Sequence, residues 1–149
     1  MPESLPVAVA DTSALVAFFN AADGHHKSVR SGFGQVGHLV LSPCVLTEFD
    51  YLVASRMGPD PARAALGYIN GRVATGRWEV PAIGPYLVAA HALLGDYPAI
   101  GLADAMNVVL AMEFRTDVIA TLDQRHFRMI RPLTRHDAFR LLPHDVPTA

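Results

Sequence analysis

Short apolar runs alternate with longer apolar stretches of helical spacing along the chain. The short runs predict strands at residues 5–10, 39–42, 77–80 and 117–121, with a weaker fifth at 139–142. Between them, the pattern predicts helices after residue 11 and over residues 25–36, 43–57, 61–70, 85–94 and 102–114. Strands that alternate with helices indicate an α/β fold, with a mostly parallel sheet of about five strands flanked by helices.

The chain has the length of one domain. Its 149 residues and 51% hydrophobic content suffice for a single core, which we place at residues 1–142, followed by a short flexible tail at 143–149. The charged fraction of 17% is below the ~25% typical of soluble domains. Either apolar surface is left for a partner, or the chain is simply rich in alanine and valine.

The sequence favours a reducing compartment and no membrane segment. The single cysteine, Cys44, excludes an internal disulfide and a zinc site of several cysteines. No apolar run reaches the ~20 residues of a membrane span. The first apolar stretch has no basic residues before it and is interrupted by Asp11, unlike a signal peptide. We therefore expect a cytoplasmic protein.

Four acidic residues lie at the ends of apolar elements. Asp11 and Asp123 follow the first and fourth predicted strands, while Glu48 and Asp104 lie in the first turns of two predicted helices. In parallel sheets the carboxyl ends of the strands form the binding crevice, so these acids are expected to meet. A cluster of carboxylates stays ionised only beside a counter-charge, and oxygen ligands suit Mg²⁺ or Mn²⁺.

Polar neighbours of these acids allow two interpretations each. Asn107 shares a helix face with Asp104, either at a site or as a hydrogen-bonded core pair. Thr12 and Ser13 either orient Asp11 or cap the following helix. Asp123 alternatively forms a turn after its strand.

The C-terminal part of the chain is rich in arginine. From Arg115 onward there are six arginines against four acids, which indicates either an arm for a phosphate backbone or a solvated tail. Arg125 and His126 directly follow Asp123, where they either contact phosphate or form a surface turn.

Four segments in this order resemble the PIN-domain ribonucleases, and most closely the VapC toxins of bacterial type II toxin–antitoxin pairs. The segments are ADTSAL, LTEFDYL, GLADAMNVVLA and ATLDQRHF, and together they span nearly the whole chain. The resemblance implies a PIN-like fold. It matches the metal-site acids of that family to Asp11, Glu48, Asp104 and Asp123, and its small hydroxyl positions to Thr12, Ser13 and Thr121.

The resemblance also implies a function. Such an enzyme is a metal-dependent endoribonuclease that hydrolyses RNA with water and leaves 5′-phosphate and 3′-hydroxyl ends. Asp11, Asp104 and Asp123 would coordinate Mg²⁺ or Mn²⁺, and Glu48 would bind the attacking water or act as its base. As a toxin it would inhibit translation by cutting tRNA or ribosomal RNA. It would form a homodimer, and a VapB-like antitoxin would cover the acidic groove.

Other classes explain the same acids less well. A phosphatase of the haloacid-dehalogenase type needs a second aspartate two residues after the first, and that position is Ser13. A receiver-like domain needs a lysine after its last strand, but the single lysine is Lys27. A catalytically degenerate PIN-type domain that only binds a partner stays open as the non-enzymatic alternative.

Overall fold

The computed structural model of the chain describes residues 5–146. Within that range the strands are β1 Leu5–Ala10, β2 Val36–Leu41, β3 Trp78–Glu79, β4 Val118–Ala120 and β5 Arg140–Leu142. The helices are α1 Thr12–Phe19, α2 His26–Gly34, α3 Pro43–Met57, α4 Pro59–Ala74, α5 Leu87–Asp96, α6 Leu102–Glu113 and α7 Gln124–Met129. A 3₁₀ turn, Gly84–Tyr86, leads into α5.

The five strands form one parallel sheet in the order β3-β2-β1-β4-β5. β1 lies in the centre, where Ala10 pairs with Leu41 of β2 and with Ala120 of β4. The predicted α/β fold with a parallel sheet of about five strands is therefore confirmed. Because all strands point the same way, the residues that follow β1, β2 and β4 lie along one edge of the sheet.

Alternating side chains of the strands build a core on each face of the sheet. Ala8 and Ala10 of β1 belong to the core shared with α1, α2, α3 and α4. Val9 belongs to the opposite core, shared with α5, α6 and α7. Burial on both faces explains why the strands read as continuous apolar runs rather than as alternating ones.

Three elements differ most from the sequence-based expectation. β2 begins at Val36, three residues early, because its first residues pair with β1. α4 starts at Pro59 and continues to Ala74 through Gly71, a position where an added Cβ would meet only open space. α7 was not predicted: it is short, and the Asp123 side chain caps it by accepting a hydrogen bond from the His126 backbone at 3.5 Å.

The first residues of the predicted tail contact the domain. Val146 is buried, and Asp145 forms a bidentate ion pair with Arg128 of α7. Residues 147–149 lie outside the described residues, so the tail at 143–149 stays a prediction. No helix within residues 5–146 has both the length and the apolar character that crossing a membrane requires.

Candidate active site

Asp11 stands at the centre of the carboxyl edge of the sheet. It follows β1 and precedes α1, at the position where an aspartate usually caps the helix, yet its side chain makes no capping bond. Instead its carboxylate accepts hydrogen bonds from Thr121 Oγ1 at 2.8 Å and from Asn107 Nδ2 at 3.4 Å. With 7% exposure, the side chain is nearly buried. The carboxylate is therefore held toward the sheet edge by its neighbours rather than used to stabilise the helix.

A hydroxyl network connects the ends of β1 and β4. Ser13 Oγ lies 3.2 Å from Thr121 Oγ1 and accepts a hydrogen bond from the Leu122 backbone at 2.9 Å. Thr121 Oγ1 also accepts from the Asp123 backbone at 2.9 Å. These bonds fix the segment after β4 against α1, which sets the position of Asp123 relative to Asp11. Capping, the alternative for Ser13, is not what its hydroxyl does.

Asp104 and Asp123 share a histidine partner. Asp104 lies in the first turn of α6 and Asp123 immediately before α7. His126 Nδ1 lies 2.8 Å from Oδ2 of Asp104 and 3.4 Å from Oδ2 of Asp123. Because an ionised carboxylate only accepts hydrogen bonds, Nδ1 carries the hydrogen. The imidazole thus bridges two acids that are 19 residues apart in the sequence.

The fourth acid, Glu48, reaches the same groove from α3. Together with Leu52 and Arg56, at intervals of four residues, it forms one stripe on the helix surface. α3 begins after Ser42, which follows β2 and caps the helix by accepting a hydrogen bond from the Cys44 backbone at 3.1 Å. The position of Glu48 therefore depends on the same sheet edge as that of Asp11.

Together these residues border one open groove of about 520 Å³. Asp11, Glu48, Asp104 and Asp123 all line it, as do Thr12 and Ser13. Thr121 and Asn107 do not line the groove, but both donate a hydrogen bond to the Asp11 carboxylate. The sequence-based expectation that the four acids meet in one crevice agrees with this arrangement.

The electrostatics of the groove show a shortage of positive charge. The pKa of Asp11 is raised from 3.8 to about 6, because burial and the charges of Asp104 and Glu48 together outweigh the hydrogen bond from Thr121, which lowers it. Burial also raises the pKa of Asp104, while its contact with His126 acts in the opposite direction. Both carboxyl groups would be stabilised in their ionised form by a cation in the groove.

The residues present fit a hard divalent cation. All four acids offer oxygen ligands, which Mg²⁺ and Mn²⁺ prefer. Beside Asp11, the buried Asn107 Oδ1 and Thr12 Oγ1 have no hydrogen-bond partner within the described structure. Nevertheless, no group of three or more His, Cys, Asp or Glu side chains within residues 5–146 is arranged to hold a metal ion.

Some predicted residues lie outside the groove, and others were missed. Arg125 is exposed on α7 and does not line the groove. Asp23 and Arg56 line it without having been predicted, although the spacing of Arg56 from Glu48 was a readable signal. The bridge from His126 to Asp104 was also missed, because the two residues belong to different elements and nothing in their local sequence connects them.

Comparison with known proteins identifies the family. No protein-family model matches the chain. Ribonuclease VapC26 of Mycobacterium tuberculosis is 43% identical over 129 residues, which cover 84% of this chain and 93% of VapC26. The chain belongs to the VapC family of PIN-domain ribonucleases. The resemblance seen in the four sequence segments is thereby confirmed.

The fold comparison agrees with membership of the VapC family. The crystal structure of Mycobacterium tuberculosis VapC20, a toxin that cleaves the sarcin-ricin loop, superimposes with a TM-score of 0.67. The match covers 78% of this chain and 89% of VapC20, at 21% sequence identity. At that identity the likeness establishes the common fold of the two chains.

Proposed function

We propose that this VapC-family ribonuclease is a metal-dependent endoribonuclease that hydrolyses phosphodiester bonds of RNA. The observation that carries the proposal is the buried Asp11 carboxylate, which faces Asp104 and Glu48 across the groove with its pKa raised to about 6. Burying a carboxylate that neither caps a helix nor pairs with a cation destabilises the folded state. Cation binding offsets that cost.

Four of the groove acids have a role in this proposal. Asp11, Asp104 and Asp123 hold Mg²⁺ or Mn²⁺, directly or through water. When bound, the cation relieves charge on the phosphate oxygens and makes water a better nucleophile. Glu48 is exposed on the opposite wall of the groove, where it positions the attacking water or accepts its proton.

The supporting residues act through Asp11 and Asp123. Thr121 and Asn107 orient the Asp11 carboxylate, and Ser13 ties the segment after β4 to α1. Partners of this kind, one step removed from a metal, commonly change metal affinity or activity by about 10- to 100-fold. Thr12, whose buried hydroxyl has no partner within residues 5–146, borders the groove directly.

The biological role follows from the family. We propose that the protein acts as the toxin of a toxin–antitoxin pair and inhibits translation by cutting tRNA or ribosomal RNA in the cytoplasm. VapC20 is named for cleavage of the sarcin-ricin loop, which supports structured RNA as the substrate class. A VapB-like antitoxin would cover the acidic groove. A homodimer would bury exposed apolar side chains on α5 and α6, among them Leu87, Val88 and Leu102.

Cleavage of structured RNA by the purified, antitoxin-free protein tests the proposal. A tRNA pool and ribosomal RNA would be incubated with Mg²⁺ or Mn²⁺, and separately with EDTA. Asp11→Asn and Asp104→Asn serve as controls for contaminating nuclease. We expect discrete cuts that require the metal and disappear in both variants while circular dichroism shows an intact fold. Equal cutting by the variants, or no cutting with either metal, would favour a non-catalytic binding module.

A further inference from the structure

A second cavity lies at the edge of the sheet opposite the catalytic groove. It has a volume of about 240 Å³ and borders the beginnings of β2 and β3 at Val36 and Trp78. Three arginines from different elements line it: Arg30 of α2, Arg72 of α4, and Arg77 just before β3. We call this cavity, lined by Arg30, Arg72 and Arg77, the arginine cleft.

The arginine cleft carries uncompensated positive charge. None of its described lining residues has a carboxylate, and within residues 5–146 none of the three arginines forms an ion pair with an acid. Guanidinium groups that line one cleft repel one another, so an anion bound beside them would be favoured. Their planar donor arrays match the oxygens of a phosphate.

The aromatic rings of the cleft are engaged mainly with its arginines and with one another. Arg30 Cζ lies 4.7 Å above the ring of Phe18, and Arg72 Cζ lies 5.2 Å above that of Tyr68. Phe18 also stacks on Phe33, with centroids 4.9 Å apart. Trp78 is only 7% exposed. The rings are thus occupied in holding the arginines and one another, which favours a phosphate ligand over a nucleobase.

Helix α1 connects the arginine cleft with the catalytic groove. Its first residue, Thr12, borders the groove, and Phe18 near its other end borders the cleft. Six residues of helix span about 9 Å along the axis. A nucleic-acid strand carries one phosphate per ~3.4 Å of helix axis, so three or more nucleotides would separate the two sites. One RNA molecule is long enough to occupy both.

We propose that the arginine cleft anchors the phosphate backbone of the RNA substrate outside the catalytic groove. The inference rests on the proposed function, because it takes RNA as the substrate. The cleft is smaller than the ~300–1,000 Å³ of pockets that enclose a whole small molecule, which suits a segment of a polymer. A contact to phosphate alone increases affinity without reading sequence.

The test compares RNA binding by the parent protein and two charge-matched double variants. Arg72→Gln/Arg77→Gln alters the cleft, whereas Lys27→Gln/Arg63→Gln removes two exposed charges that do not line it. Fluorescence anisotropy with a labelled tRNA pool is recorded in EDTA over a series of salt concentrations, so that no cleavage occurs. For the cleft variant we expect about tenfold weaker binding and a salt slope reduced by about 1.4, for two lost phosphates. The control variant should keep the parent's slope.

Two results would overturn the inference. One is a cleft variant that binds tRNA with the parent's affinity and salt slope. The other is a cleft variant that binds tRNA like the parent but no longer binds an acidic peptide, which would assign the cleft to a protein partner. The single variant Arg77→Gln guards against misfolding, because Arg72 also donates two hydrogen bonds to Tyr68 Oη. Failure of the proposed function would appear separately, as absent cleavage by the parent with metal.

Discussion

His126 Nδ1 lies 2.8 Å from Oδ2 of Asp104 and so gives this carboxylate a hydrogen-bond donor. A cation that binds Asp104 competes with this hydrogen bond. We therefore expect His126→Ala to bind Mn²⁺ more tightly, by about 3- to 10-fold, if the lost bond is worth about 1 kcal/mol. Isothermal titration of the parent and the variant measures the affinity directly.

The same substitution should destabilise the metal-free protein. Without His126, Asp104 keeps its charge but loses its donor, so the free energy of unfolding in EDTA should fall by about 1 kcal/mol. His91→Ala, on an exposed position of α5, is the matched control. If Mn²⁺ affinity fell in His126→Ala, the ring would be an organiser of the metal site rather than a competitor.

The stability of the metal-free protein should depend on pH through Asp11. Its folded-state pKa is raised to about 6 from 3.8, so the folded state binds the proton more tightly than the unfolded chain. This favourable contribution is fully present below the unfolded value and is lost as the pH rises through 6. At ~1.4 kcal/mol per pKa unit, the loss is about 3 kcal/mol.

Asp11→Asn tests the origin of this dependence. Asparagine carries no charge, and the unpartnered Oδ1 of Asn107 offers an acceptor for its amide after a flip of the Asn107 side chain. Urea unfolding in EDTA should show the variant gaining stability over the parent as the pH rises from 3.8 to about 6, with a constant difference at higher pH. An identical pH dependence in both proteins would place the titrating group elsewhere.

Two threonines that flank β4 provide a matched pair of substitutions. Thr121 donates to Asp11 at 2.8 Å, whereas Thr116, at the other end of the strand, donates to the Val7 carbonyl at 2.7 Å. Replacing Thr121 with valine removes a bond that lowers the pKa of Asp11. We expect Thr121→Val to weaken metal affinity and cleavage by about 10- to 100-fold.

Thr116→Val should leave metal affinity and RNA cleavage unchanged while lowering the free energy of unfolding. Metal titration followed by RNA cleavage at saturating metal distinguishes the two outcomes. A common loss of activity in the two variants would indicate damage to β4 rather than to the site.

Glu48 and Asp50 differ in their relation to the groove although only two positions separate them. Glu48 lines the groove and Asp50 does not. In its proposed role, Glu48 positions or deprotonates the attacking water. Replacing it with glutamine should therefore lower kcat by about 10²- to 10⁴-fold. Single-turnover cleavage of a structured RNA at saturating metal measures this step.

Asp50→Asn is the control for that measurement and should stay within about threefold of the parent, since Asp50 is only half-buried and does not line the groove. Comparable losses in both variants would argue that the charge of α3, rather than a specific carboxylate, supports cleavage.

The sequence allowed the fold and the four acids of the groove to be predicted because both depend on local signals. Apolar runs marked the strands, and Asp11 and Asp123 followed two of them. Parallel strands end at one edge, so the order of elements alone brings these acids near each other. The short helix α7 gave no such signal, since six residues are too few for a helical pattern to be read.

By itself, the sequence determined the alternation of strands and helices, the family resemblance and the identity of four of the groove acids. The tertiary structure decided which neighbours these acids have. It placed His126 against Asp104, turned the Asp11 side chain away from helix capping, and left Arg125 outside the groove. It also gathered Arg30, Arg72 and Arg77 from three elements into one cleft. Such contacts join residues far apart in the chain, and they depend on how the elements pack, which a periodicity of two or 3.6 residues does not encode.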